Sequence, residues 1–273
     1  MKRFAIGSAE AGGAPLLVIA GPCVVEGADT CLEVATQLKA ACAARGLPYV
    51  FKASYRKANR SSARSFEGPG IEEGLAILAR VRDEAGVPVL TDVHEEREVP
   101  AAAAVADVLQ IPAFLSRQTG LLQAAARSGR AVNVKKGQFL APGDMVQVVE
   151  KLAAAGCERI LLTERGTTFG YHDLVVDMRA LVIMRDLGWP VVFDATHSLQ
   201  RPGGAETGGD RRFAFPLMRA AVACGVDGLF FETHPDPARA QSDAATQLPL
   251  DQAAAFLDEA LRVRESLGAR THA

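Results

Sequence analysis

"LLVIAGPCVV" (residues 16–25) is the stretch on which the fold turns. Five apolar residues of strand character run into Gly21-Pro22 and stop at a single thiol, Cys23. A doubly wound nucleotide-binding sheet would carry GxGxxG after its first strand. None stands here. Instead, this run opens a repeat in pattern, in which short apolar stretches alternate with longer Ala/Leu-rich amphipathic ones.

The strand runs are LLVIAGP (16–22), YVFKAS (49–54), VPVLTDV (87–93), VLQIPA (108–113), AVNVKK (131–136), RILLTER (159–165), PVVFDATH (190–197) and GLFFETH (228–234). Between them the periodicity predicts helices, among them residues 30–46, 74–86, 144–156 and 173–188. Several of these reach a Gly just before the next strand, as a helix C-cap does, and Pro142 sits where a first-turn proline belongs. Near-continuous apolar strands imply a parallel sheet buried on both faces. Eight β–α units in 273 residues fit a (β/α)8 TIM barrel spanning residues 1–273 as a single catalytic domain.

The formal charge of -2 argues against a nucleic-acid or membrane surface, so any positive field must be local. The start, MKRFAIGSAEAGG, has no long apolar core of a secretory signal, and no run approaches the roughly 20 apolar residues of a membrane span. Five cysteines without CxxC spacing make a disulfide scaffold improbable and point to a reducing, cytoplasmic setting.

Barrel active sites lie at the C-terminal ends of the strands. Here those ends carry Cys23, Lys52 with Ser54, Asp92 with His94, Gln110, Lys135-Lys136, Glu164-Arg165, Asp194 with His197, and Glu232 with His234. Closure sets strand eight beside strand one, which brings Cys23, His197 and Glu232 onto contiguous staves. Asp243, in the loop after strand eight, reaches the same corner. Thiolate, imidazole and carboxylates form a set suited to one divalent ion, Zn, Fe(II) or Mn. Taken alone, Cys23 reads first as a small buried hydrophobe, the commonest fate of a free cysteine.

The second cluster is cationic. "FKASYRKANRSS" (51–62) carries Lys52, Arg56, Lys57 and Arg60, and later strands add Arg117, Lys135, Lys136 and Arg165. Such a concentration in an acidic chain suits one or two phosphate groups. Lys135 is also placed as a Schiff-base lysine would be.

At these residues the chain resembles the 3-deoxy-D-manno-octulosonate 8-phosphate synthases. The motifs are FKASYRKANRSS, IPAFLSRQT, NVKKGQFLAP, TERGTTFGY, DATHSLQ and FFETHPDP with SDAATQLPL, in order over residues 16–250. The resemblance implies condensation of phosphoenolpyruvate with D-arabinose 5-phosphate and water, releasing phosphate, in lipopolysaccharide biosynthesis. It also implies a cytoplasmic homotetramer. The related 3-deoxy-D-arabino-heptulosonate 7-phosphate synthases, which use erythrose 4-phosphate, are the alternative. They typically carry a KPRTS-like segment where this chain has KANRSS.

Cys rather than Asn after the first strand resembles the metal-dependent class, with Cys23, His197, Glu232 and Asp243 on its ligand positions. The resemblance further implies phosphoenolpyruvate contacts from Lys52, Arg117, Lys135 and Arg165, with Ala113, Phe114 and Gln138 lining that pocket. Asn59, Arg60 and Ser61 fall on the pentose phosphate side, and Ser54 is a further substrate-binding candidate. Lys57, Asp92, His197 and Asp243 are implied as catalytic. Two departures stand out: Arg56 and Gly120 replace aspartates common in the family. The segment RPGGAETGGDRR (201–212) is individual to this chain.

Overall fold

The protein is described by a computed structural model covering residues 1–59, 65–203 and 208–268. Arg60 and Ser61 lie outside the described residues. Eight parallel strands close into a barrel: β1 Leu17–Gly21, β2 Tyr49–Lys52, β3 Val89–Asp92, β4 Val108–Ile111, β5 Ala131–Lys135, β6 Ile160–Glu164, β7 Val191–Asp194 and β8 Gly228–His234. The circle is completed by β8 pairing with both β7 and β1, in a register that sets Glu232 beside Gly21. Each strand feeds a helix: α1 Ala28–Ala43, α2 Ile71–Ala85, α3 Val99–Val105, α4 Thr119–Arg127, α5 Met145–Ala154, α6 Arg179–Arg185, α7 Ala214–Ala223 and α8 Ala253–Ser266. The (β/α)8 barrel expected from the alternating pattern is the fold. Among the described residues no helix is long and apolar enough to cross a membrane.

Strand side chains alternate between the two faces of the sheet. Outward residues such as Val18, Phe51, Leu109 and Val134 join the helices in one large core. Inward residues fill the barrel in layers. The lower layer is apolar, built from Leu17, Ile19, Val50, Leu90, Val108, Ala131, Leu161, Val192 and Phe230. An N-terminal hairpin, Phe4–Ile6 with Ala9–Ala11, plugs this end through Ile6, Ala9 and Ala11. Its three-residue strands are too short to register as an alternating run, so the periodicity does not reveal it. The upper inward positions are polar: Lys52, Asp92, Gln110, Asn133, Lys135, Thr163, Asp194 and Glu232. Gly21 is required at the top of β1, because a Cβ there would stand 2.1 Å from the Lys52 carbonyl oxygen.

The helices depart from the expected ranges: α1 runs Ala28–Ala43 rather than 30–46, and α5 Met145–Ala154 rather than 144–156. Helix α2 begins at Ile71 rather than 74. The run expected as a helix over 173–188 begins as a strand, with Leu174–Val175 pairing against Thr167–Thr168, and only Arg179–Arg185 is α-helical. The β-branched stretch there finds a partner strand in the loop after β6, and tertiary pairing overrides local helical periodicity. The expected caps hold: Gly86 ends α2 in the left-handed conformation, and Pro142 opens the turn leading into α5.

Candidate active site

A cavity of about 770 Å³ opens at the C-terminal end of the barrel. Lys52, Lys57, Asn59, Asp92, Ala113, Phe114, Lys135, Gln138, Arg165, His197 and Asp243 line it. Cys23 and Glu232 are fully buried just beneath, and Ser54 is buried behind Lys57. Arg117 alone of the described candidates is not brought here: it is exposed beyond β4, outside this chain's own cavity.

One corner gathers the thiol and the acids. Cys23 Sγ, Asp243 and Glu232 each present a ligand atom within 4.8 Å of the others. His197 Nε2 is 3.7 Å from Glu232 Oε1 and 3.6 Å from Asp243 Oδ2. Its other nitrogen, Nδ1, faces Asp194 Oδ2 at 2.8 Å, an arrangement that leaves Nε2 directed at the corner. Cys23 Sγ donates to Ser242 Oγ at 3.0 Å and lies 3.4 Å from Asp243 Oδ2. Burial, reinforced by Asp243 and Glu232, holds the thiol well above its usual range. Glu232 Oε2 is buried with no hydrogen-bond partner among the described residues. An orphaned carboxylate oxygen beside a thiol and an imidazole fits a divalent cation, because a buried charge needs a counter-charge.

The adjoining wall is cationic. Lys52 Nζ donates to Glu232 Oε1 at 2.6 Å and to the Cys23 carbonyl at 2.9 Å. Lys135 Nζ is ion-paired with Asp194. Burial opposes the Lys135 charge and pulls its pKa down, against the attraction of Asp194. Phe230 forms the floor between them, its ring centroid 3.6 Å from Lys135 Nζ and 5.5 Å from Lys52 Nζ. Arg165 gives Nη2 to Gln200 at 2.8 Å, while its Nη1 and Gln138 Oε1 are buried without partners among the described residues. Lys136 points the other way, as strand alternation requires. It donates to Thr167 Oγ1 at 3.0 Å and to the carbonyls of Gly137 and Leu140, fixing the loop that carries Gln138.

The third wall holds Asp92 and Lys57. Burial would raise the Asp92 carboxyl, but a 3.1 Å contact with His94 Nε2 and the charges of Lys57 and Lys52 hold it well below the usual carboxylate range. Its Oδ1 has no partner among the described residues. Lys57 Nζ donates to Ser54 Oγ at 2.9 Å. Burial opposes its charge, yet the carboxylates of Glu232, Asp92 and Asp243 outweigh that and keep it protonated.

The two departures fit this surrounding. Arg56 pairs with Glu98 at 2.7 Å and Glu95 at 3.4 Å. A Cβ on Gly120 would stand 1.9 Å from Glu96 Oε1, so the glycine leaves room for that carboxylate. Several contributors carried no expectation of a role: Asp194, Phe230, Gln200 and Ser242. Phe230 shares its inward parity with Glu232 two residues on, which is the signal available for it. Asp194 is visible as a polar strand end, but nothing in the sequence ties it to Lys135 and His197.

Comparison with known proteins adds a second line. A 2-dehydro-3-deoxyphosphooctonate aldolase of Syntrophotalea carbinolica is 58% identical over 92% of this chain and 92% of its own length. Proteins of the same description from Trichlorobacter lovleyi and Koribacter versatilis are 55% and 54% identical, covering 94% and 98% of this chain and 95% and 98% of their own. The DAHP synthetase I family profile matches residues 5–267, and with that span and those relatives the chain belongs to the DAHP synthetase I family.

Proposed function

We propose that the protein is a 3-deoxy-D-manno-octulosonate 8-phosphate synthase of the metal-dependent class. It joins phosphoenolpyruvate to D-arabinose 5-phosphate with water and releases inorganic phosphate. The observation that carries this is one cavity with a cationic wall, Lys52, Lys57, Lys135 and Arg165, facing a corner of Cys23, His197, Glu232 and Asp243. Relatives 54–58% identical bear the octonate aldolase name. This favours arabinose 5-phosphate over the erythrose 4-phosphate of the alternative reading.

Two phosphorylated substrates repel each other, and holding them in reactive geometry is a large share of the barrier. Lys52, Lys135 and Arg165 take the carboxylate and phosphate of phosphoenolpyruvate, with Arg165 Nη1 as a donor awaiting an oxygen. Gln138, Ala113 and Phe114 complete that pocket. Asn59, Arg60 and Ser61 take the pentose phosphate, Ser54 holds Lys57, and Asp92 Oδ1 accepts from a sugar hydroxyl. The enol carbon then attacks the aldehyde, whose developing oxyanion is met by the protonated Lys57. Water adds at the enol-ether carbon, and phosphate departs with cleavage of its C–O bond. Cys23, His197, Glu232 and Asp243 would hold one Zn, Fe(II) or Mn ion, which supplies Lewis-acid charge. His197 and Asp243 also face the cavity, and Asp243 is in position to move a proton.

Self-association into a homotetramer is supported by Arg117 and by the exposed Phe114, Phe139, Phe169 and Tyr171 in the loops beyond β4, β5 and β6. A cytoplasmic setting is supported by five free cysteines. The deciding measurement is phosphate release from phosphoenolpyruvate with each of the two sugar phosphates, before and after verified metal removal. We expect turnover with arabinose 5-phosphate that chelation abolishes and added metal restores. Turnover with erythrose 4-phosphate alone would overturn the substrate, and chelator-proof turnover the metal.

A further inference from the structure

The segment after β7 touches two separate parts of the site. Residues Gln200–Arg201 pair antiparallel with Gly208–Gly209, and Arg211 comes next in a short turn. At one end, the buried Gln200 accepts from Arg165 Nη2 at 2.8 Å. At the other, Arg211 Nη2 donates to the Ala244 carbonyl at 2.5 Å and its Nε to that of Ala245 at 3.3 Å. Between them, Gly209 lies so close to the same loop that a Cβ would stand 2.2 Å from Thr246 Cγ2.

That loop carries Asp243 in an unusual backbone state, with a φ of 49° at a non-glycine residue. Aspartate enters this left-handed region more readily than most residues, and here the surrounding contacts hold it there. Among the described residues the Asp243 carboxylate is within hydrogen-bond or ion-pair reach of Cys23 and His197 alone, so its aim is set by its backbone. The backbone is held by Thr246 and Gln247 amides on the Asp243 carbonyl, by Gln247 Nε2 on the Ser242 carbonyl, and from outside the loop by Glu26 on the Gln241 amide and by Arg211.

We propose that the segment after β7 is a two-armed brace: Arg211 is a positioning residue for Asp243, and Gln200 a positioning residue for Arg165. Arg211 lies outside the cavity, and Gln200, which lines it, acts through its bond to Arg165. The inference rests on the reading of Asp243 as a metal ligand and Arg165 as a phosphoenolpyruvate ligand. Its consequence is that the two arms are separable by mutation.

The test uses the full chain and three variants, Arg211→Ala, Arg211→Lys and Gln200→Ala, with Cys23→Ala alongside. Zn(II) affinity is measured by chelator competition, and KM for phosphoenolpyruvate and the melting temperature are measured in parallel. Arg211→Ala should weaken Zn(II) about 10–100-fold, the range for loss of a group that orients a ligand, with KM and melting temperature close to those of the parent. Arg211→Lys, which keeps one donor, should recover part of the affinity. Gln200→Ala should raise KM about tenfold or more and leave Zn(II) affinity unchanged, since the charged guanidinium loses one hydrogen bond to a neutral amide oxygen. Unchanged Zn(II) affinity in Arg211→Ala, when Cys23→Ala loses the metal, overturns the brace and spares the metal reading. Unchanged affinity in Cys23→Ala overturns the metal reading, and the Arg211 arm falls with it. Equal changes in both constants in either variant, tracking a lowered melting temperature, also overturn the brace.

Discussion

The lower and upper halves of the barrel interior are built on the same eight strands and the same inward parity, yet they share almost no chemistry. Below, Leu17, Ile19, Val50, Leu90 and Val108 pack against the N-terminal hairpin as a dry core. Further along the strands stand Lys52, Asp92, Gln110, Lys135, Asp194 and Glu232. The lower half stores stability through burial. The upper half concentrates charge that burial alone would not tolerate, and each group is held by a specific counterpart: Lys52 by Glu232, Lys135 by Asp194, Asp92 by His94. Three atoms without partners among the described residues, Glu232 Oε2, Asp92 Oδ1 and Arg165 Nη1, belong to this half, where ligands would complete them.

That contrast can be broken from either side. The largest effect is expected at the metal corner. On the proposed metal reading, Cys23→Ala should lose on the order of a thousandfold in metal affinity, since one of the four proposed ligands and a thiolate charge are removed. Cys42→Ala, whose thiol burial pushes up to about 12 on the buried face of α1, should bind metal like the parent. Equal metal content by elemental analysis in the two variants would remove the distinction. Next comes the lower half: Leu90→Ala should cost about 2–5 kcal/mol in chemical denaturation, with kcat/KM per folded molecule unchanged.

Acid should expose the upper half selectively. The Asp92 carboxyl is held below its ordinary value, so it binds fewer protons folded than unfolded. Its stabilisation is therefore complete above about pH 4 and is lost as pH falls through the folded value. The melting temperature should stay level from about pH 8 to about pH 5 and fall below about pH 4, and Asp92→Asn should make that fall shallower. The smallest effect is expected at Phe230. Phe230→Leu is near volume-conserving and should cost under about 1.5 kcal/mol in stability. It removes the ring beneath Lys135 and Lys52, worth about 1–2 kcal/mol when desolvated, so kcat should drop roughly tenfold. A larger loss of stability than of rate would mean that Phe230 serves the apolar layer alone.

Much of this is legible in the chain itself. The eight apolar runs mark the strands because parallel strands covered on both faces must be apolar nearly throughout. Their shared polar ends mark the rim. The N-terminal hairpin escapes such a reading because its strands are three residues each. The helix expected over 173–188 is only partly formed because Leu174–Val175 finds a cross-loop partner. Lys135 and Lys136 are equivalent as a charged pair until the pleat sends one into the cavity and the other against Glu164 at 3.5 Å.

By itself, then, the sequence determined the barrel, the end at which chemistry gathers, and the residue types available there, because each follows from periodicity and composition along a local stretch. Only the tertiary structure decided which of those residues meet. Cys23, His197, Glu232 and Asp243 are separated by up to 220 positions and become neighbours through closure of β8 on β1. Asp194 joins Lys135 to His197, and Arg211 reaches the Asp243 loop, for the same reason. Distances across the barrel are set by closure and register, which no local pattern encodes.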